Sequence, residues 1–231
     1  MRSNVAAFRT DELVPDLLAS PFDAQTNWLV IAGAPSCGKT TLIDGLAARG
    51  FRTVAEPARA YIEGEVARGR TIEDIHRDGA GLQRTLVEVQ AAVEADLRPG
   101  DLLFLDGALP SSLAWYRAFG LDPNAILPRC FRHRYAAVFL LDALPLDADG
   151  IRFNDPNLVS FLDRWIARDF TALRYDVIRV PVLPPGERLA FVLDRLSARR
   201  AATPMLARSR GLPALPARHP VPVGGSVRPS P

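Results

Sequence analysis

Short apolar strands alternating with amphipathic helices predict an α/β fold, in three layers around a parallel five-stranded sheet. Three observations carry that reading. Apolar runs such as 28–32 and 136–141 are short and continuous, as strands buried on both faces are. The longer segments between such runs repeat apolar residues at helical intervals. The first strand also runs into a glycine-rich turn that opens directly onto a helix.

The elements follow in order. After strand 28–32 and the turn at Gly33–Gly38, residues 40–49 form a helix with Leu42, Ile43 and Leu46 on one side, ending before Gly50. A second strand spans 51–55 and stops at Glu56-Pro57. Helices are expected over 57–68 and 71–98, the latter spacing Leu82, Leu86, Val89 and Val93 on one face and ending at Pro99-Gly100. The third strand, 102–105, ends in Asp106, and a helix follows over 111–119. The fourth strand is 136–141. Residues 142–156, rich in Asp, Pro and Gly, are expected to form a mobile loop. A helix at 157–174, a strand at 177–180 and a helix at 186–199 complete the pattern. This divides the chain into an N-terminal extension (1–26), one α/β domain (27–200) and a Pro/Arg-rich disordered tail (201–231).

The chain of 231 residues, 48% hydrophobic and 23% charged, excludes fibrous, fully disordered and disulfide-scaffold classes. Cys37 and Cys130 are too few for a disulfide framework, which points to a reducing compartment. No run approaches the roughly 20 apolar residues of a membrane span, and the acidic N-terminus is no secretory signal. The expectation is a cytoplasmic protein. Of the 28 basic residues, four arginines lie in the tail with no acid beside them. The body is therefore slightly acidic and shows no footprint for nucleic acid.

Gly33-Ala34-Pro35-Ser36-Cys37-Gly38-Lys39-Thr40 spells G-x-x-x-x-G-K-[ST], the phosphate loop of P-loop NTPases. Together with Thr41 these are the expected nucleotide-binding residues, and ATP with Mg²⁺ the expected cofactors. The glycines let the backbone curl its N–H groups around phosphate oxygens. Lys39, the only lysine in the chain, reaches the phosphates, and the Thr40 hydroxyl is a magnesium ligand. Cys37, at a helix N-terminus beside Lys39, is placed to favour its thiolate and a redox role, but the preferred reading is a small side chain at a tolerant position of the loop.

Two strands end in Asp, at Asp106 and Asp142, and either could hold Mg²⁺. Asp106 is preferred, because the third strand in such sheets lies beside the phosphate-loop strand. Glu56 follows the second strand directly, and Pro57 starts a helix. Ligands of open α/β sheets bind beyond the carboxyl ends of the strands, so Glu56, Asp106 and Lys39 should converge there. Glu56 is the candidate general base, and Arg59, three residues on, would hold an anionic substrate or pair with Glu56. Arg152 is the candidate lid arginine, with Arg164 and Arg168 on one face of the next helix.

In this order the segments G-A-P-S-C-G-K-T-T, V-A-E-P-A-R-A-Y-I, L-F-L-D-G-A-L-P-S-S-L-A-W-Y, H-R-Y-A-A-V-F-L-L and D-G-I-R resemble the AAA-domain-type small P-loop ATPase family. That family is similar to the kinase domain of bacterial nicotinamide riboside kinases. It is similar also to a eukaryotic GTP-binding, phosphoinositide-binding protein of photoreceptor trafficking. The resemblance covers about residues 27–196. It implies a kinase-type P-loop fold with strand order 2-3-1-4-5, and ATP and Mg²⁺ at Lys39, Thr40 and Asp106. Glu56 resembles the base of deoxynucleoside kinases. Relatives usually carry Asp-Arg where this chain has Asp106-Gly107.

Two functions follow as expectations. The first is a kinase moving the γ-phosphate of ATP to a hydroxyl of a small, nucleoside-like acceptor. In it Lys39, Glu56, Asp106 and Arg152 are catalytic, and Glu56 and Arg59 face the acceptor. The second is a nucleotide-binding switch or slow ATPase or GTPase with a protein or phosphoinositide partner.

Overall fold

The structure, a computed structural model, describes residues 8–144 and 155–202. The chain forms α1 (Pro15–Leu18), β1 (Ala24–Gln25), β2 (Trp28–Ala32), α2 (Lys39–Ala48), β3 (Thr53–Val54), α3 (Pro57–Ala67), α4 (Ile72–Arg77) and α5 (Gly79–Asp96). β4 (Leu103–Asp106), α6 (Ser111–Ala118), two short 3-10 turns, β5 (His133–Arg134), β6 (Ala137–Leu141), α7 (Pro156–Ala172), β7 (Val177–Val180) and α8 (Pro185–Ala202) follow.

Five strands make one parallel sheet in the order β3-β4-β2-β6-β7. Counted within that sheet alone, this is the expected order 2-3-1-4-5. Over the whole chain the numbers shift, because β1 and β5 form a separate parallel pair that the sequence pattern does not announce. Alternation along β2 explains the layers. Trp28, Val30 and Ala32 face one apolar cluster with residues of α5, α6 and α7. Leu29 and Ile31 face the other, with Leu42, Ile43 and Leu46 of α2 and Leu189, Val192 and Leu196 of α8.

Two elements differ from expectation. The second strand keeps only Thr53–Val54, because Phe51 is used to close α2. Gly50 N donates to Ala47 O and Phe51 N to Leu46 O, and the Phe51 ring sits edge-on to Phe104. The expected helix 71–98 is two helices. Asp78 leaves the helical region (φ −103°, ψ 80°), and its carboxylate accepts from Gly81 N at 2.8 Å, capping α5 afresh.

Residues 8–26, counted as an extension in sequence, pack on the domain. Leu13 is buried in the core, and Phe8 lies on Phe161 with ring centroids 4.5 Å apart. Arg117 of α6 pairs with Asp169 of α7 at 2.7 Å, both side chains at most 1% exposed, and donates through Nε to Asp11 O. One buried ion pair therefore ties α6, α7 and the N-terminal segment together. Among the described residues, no helix is long and apolar enough to cross a membrane.

Candidate active site

Parallel pairing decides where the site falls. Ile31 of β2 is in register with Asp106 of β4, so the phosphate-loop segment and Asp106 leave the sheet at the same edge. β3, on the other side of β4, delivers Glu56 to that edge.

The loop between β2 and α2 takes left-handed backbone at Ser36 (φ 61°) and Gly38 (φ 91°), which curls its N–H groups inward. A Cβ on Gly33 would lie 2.6 Å from Cys37 Sγ and 3.1 Å from Leu141 O, so only glycine fits. The first helical bond of α2 is Leu42 N to Gly38 O, which leaves the N–H groups of Lys39, Thr40 and Thr41 at the positive end of the helix. Lys39 Nζ donates to Gly33 O (3.0 Å) and Ala34 O (3.1 Å), so the ammonium lies along the loop.

A cavity of about 490 Å³ runs along Gly33, Pro35, Ser36, Gly38, Lys39, Thr40 and Thr41. Ala34 and Cys37 are buried and do not line it. Of the two readings of Cys37, the activated thiolate is the one set aside: burial pushes its thiol up, outweighing the opposite pull of Lys39. It is no poised thiolate.

Asp106 is 2% exposed. Its Oδ2 accepts from Thr40 Oγ1 at 3.3 Å, while Oδ1 is buried with no hydrogen-bond partner. Burial pushes the carboxyl up to about 6, against the pull of Lys39 and with a push from Glu56. Among the described residues no three His, Cys, Asp or Glu cluster as a metal cage. A hydroxyl and an orphaned carboxylate oxygen at the mouth of a phosphate loop do fit Mg²⁺, which takes few protein ligands and completes its shell with phosphates and water. Asp142, the other strand-end acid, is turned to Arg179 at 3.0 Å.

Glu56 caps α3 in position only, with no side-chain capping bond, so its carboxylate remains available. It lines the phosphate cavity and also a second cavity of about 440 Å³. That second cavity is an apolar bowl of Ile62, Leu82, Leu86, Trp115 and Phe119, with Glu63, Gln83 and Gln90 among its polar groups. Pro35, Glu56, Arg59, Gly107, Ser111 and Trp115 line both cavities, so the two share a wall. Among the described residues Arg59 forms no ion pair with Glu56. Gly107 has φ 81° with open space around it, so the backbone and not crowding suits glycine there.

Arg152 lies outside the described residues. Arg164 is exposed, and Arg168 is engaged by Glu12 and lies over Trp165, so neither is gathered into the site. Two site residues carry no sequence signal. The Ser111 Oγ is buried without a partner in the shared wall. The Arg188 guanidinium is buried against the back of the phosphate loop. Both emerge only once distant segments are brought together.

A parallel sheet in this order, a G-x-x-x-x-G-K-T loop after its central strand and an acid at the end of the adjacent strand define a P-loop NTPase with a kinase-type sheet. The chain belongs to the family whose model is described as an AAA domain, which matches residues 28–188. Its fold is similar to that of NadR in complex with NAD and AMP-PNP, at TM-score 0.53 and 17% identity, covering 77% of this chain and 50% of that one. NadR in complex with NR gives 0.52 and 18%, covering 67% and 43%. Deoxyadenosine kinase from M. mycoides with bound dCTP gives 0.50 and 11%, covering 74% and 99%. The chain thus spans half or less of the NadR chains, and at these identities the likeness is one of fold. Among curated proteins none matches the sequence significantly.

Proposed function

We propose that the protein is an ATP- and magnesium-dependent phosphotransferase that moves the γ-phosphoryl group of ATP to a hydroxyl of a small, nucleoside-like acceptor. The observation that carries this reading is the wall shared by the two cavities. A phosphate-binding cavity and a mostly apolar one meet beside Glu56, as a donor and an acceptor must. The apolar bowl suits a planar ring, with Gln83 and Gln90 among its polar lining residues. Three carboxylates, Glu56, Glu63 and Asp106, outnumber the Arg59 guanidinium around it, which favours a neutral or cationic acceptor over an anionic one. The neighbouring folds that bind NR, NAD with AMP-PNP, or dCTP support a nucleoside-like acceptor.

Loop N–H groups and Lys39 bind and orient the phosphates. Thr40 and Asp106 would hold Mg²⁺, which supplies charge neutralisation along the phosphates when bound. As the acceptor oxygen bonds to the γ-phosphorus, the bond to the β,γ-bridging oxygen breaks, ADP leaves and Glu56 takes the hydroxyl proton. Arg59, in the shared wall, faces the charge being transferred.

Labelled ATP incubated with a panel of nucleosides and anionic hydroxy compounds tests the reading. Label should pass to a neutral or cationic nucleoside. Slow release of phosphate with every acceptor would instead favour a nucleotide switch.

A further inference from the structure

We propose that Arg188 is a positioning residue of the phosphate loop: it holds the Cys37–Gly38 peptide so that the Gly38 N–H points at bound polyphosphate. The inference rests on the loop binding nucleotide, as proposed above. Arg188 is 4% exposed and sits in the first turn of α8, where the helix dipole disfavours a cation. Among the described residues it has no carboxylate partner. A buried charge without a counter-ion is costly, so something must hold it there.

What holds it is backbone from three segments. Nη1 donates to Cys37 O at 2.6 Å, Nε to Pro181 O at 3.0 Å and Nη2 to Asp142 O at 3.3 Å. The guanidinium therefore braces the phosphate loop against the residues just beyond β6 and β7. The bond to Cys37 O matters most. No peptide in the described chain is cis, so this carbonyl and the Gly38 N–H point in opposite directions. Fixing the oxygen toward Arg188 fixes the N–H toward the cavity that Gly38 lines.

Gly38 has φ 91°, and beside a glycine the peptide plane turns easily unless anchored. The charge-assisted bond also polarises the peptide, which strengthens its N–H as a donor. Arg188 thus brings a second positive influence to the loop without touching phosphate. A lysine could not reproduce it, because a single ammonium does not present three donors in a fixed plane.

The test compares wild type with Arg188→Lys and Arg188→Ala by calorimetric titration of ADP and of inorganic tripolyphosphate, with the unfolding midpoint of each ligand-free protein. Loss of one well-aligned hydrogen bond to a charged group predicts affinity about tenfold or more weaker for both ligands in folded Arg188→Lys. Addition of ethylguanidinium, which replaces the atoms removed in Arg188→Ala, should restore part of that affinity, which a merely structural defect would not allow. Unchanged affinity in folded Arg188→Lys overturns the proposal. Should neither variant fold, the ¹⁵N-labelled wild type decides. The Gly38 amide proton moves downfield on ADP binding if the proposal holds, and its failure to move overturns it. A wild type that binds neither ligand would instead remove the nucleotide-binding reading.

Discussion

Thr40 Oγ1 donates to Asp106 Oδ2 across 3.3 Å, so the first turn of α2 and the end of β4 meet at one point although 66 residues separate them. The contact follows from β2 and β4 being parallel neighbours whose carboxyl ends share an edge. It joins the phosphate loop to the one buried carboxylate of the site. Four predictions start from this neighbourhood and the core behind it.

Lys39 is the only lysine, so an amine-directed reagent can modify that side chain and the N-terminal amine alone. Peptide mapping by mass spectrometry should show ATP slowing modification at Lys39 and leaving the N-terminus unaffected. Equal rates with and without ATP would remove Lys39 from the nucleotide site.

Asp106→Asn should separate stability from activity. Burial raises the carboxyl to about 6, so the folded chain holds this proton more tightly than the unfolded chain does. The contribution of Asp106 to stability therefore falls as pH rises from about 4 to about 6. At neutral pH the ionised group costs roughly 3 kcal/mol, and asparagine removes that cost. Urea unfolding of the metal-free proteins should find the variant more stable at pH 7.5 and the difference small at pH 4. Phosphoryl transfer should be lost at both.

Glu56→Gln keeps the shape of the shared wall and removes the proposed base. Its kcat for transfer should drop by roughly 10²–10⁴, with the ATP dissociation constant little changed. A variant of normal rate would mean that Glu56 takes no proton.

Arg117→Ala leaves Asp169 as a buried carboxylate with its partner gone, since both side chains are at most 1% exposed. Denaturant unfolding should show a loss of roughly 3–5 kcal/mol. The double variant Arg117→Met, Asp169→Leu should recover much of it, because the penalty belongs to the unpaired charge.

The loop from Gly33 to Thr40 could be read directly, since its chemistry is local. Curled glycines, a lysine and a hydroxyl are all specified within eight positions, and the strand before and helix after supply the context. Asp106 was legible as a strand end and Glu56 as the residue between a strand and a helix. The split between α4 and α5 was harder to read, because Leu82 and Leu86 keep helical spacing across a segment whose start depends on how Asp78 turns back to Gly81. Cys37 offered two readings in sequence, an activated thiolate or a small inert side chain. Beside Lys39 in sequence it looks activated, but packing buries the thiol and burial wins.

By itself the sequence determined the alternation of strands and helices, the phosphate loop and the acids at strand ends, because periodicity and short motifs are properties of neighbouring residues. The sequence also favoured Asp106 over Asp142, and the structure turns Asp106 to Thr40 and Asp142 to Arg179. The tertiary structure alone decided that α3, α5 and α6 close an apolar bowl against Glu56. It alone placed Arg188 behind Cys37, 151 residues away in the chain. These relationships join segments far apart in the chain. Sheet order and side-chain packing set such distances, and no local pattern encodes them.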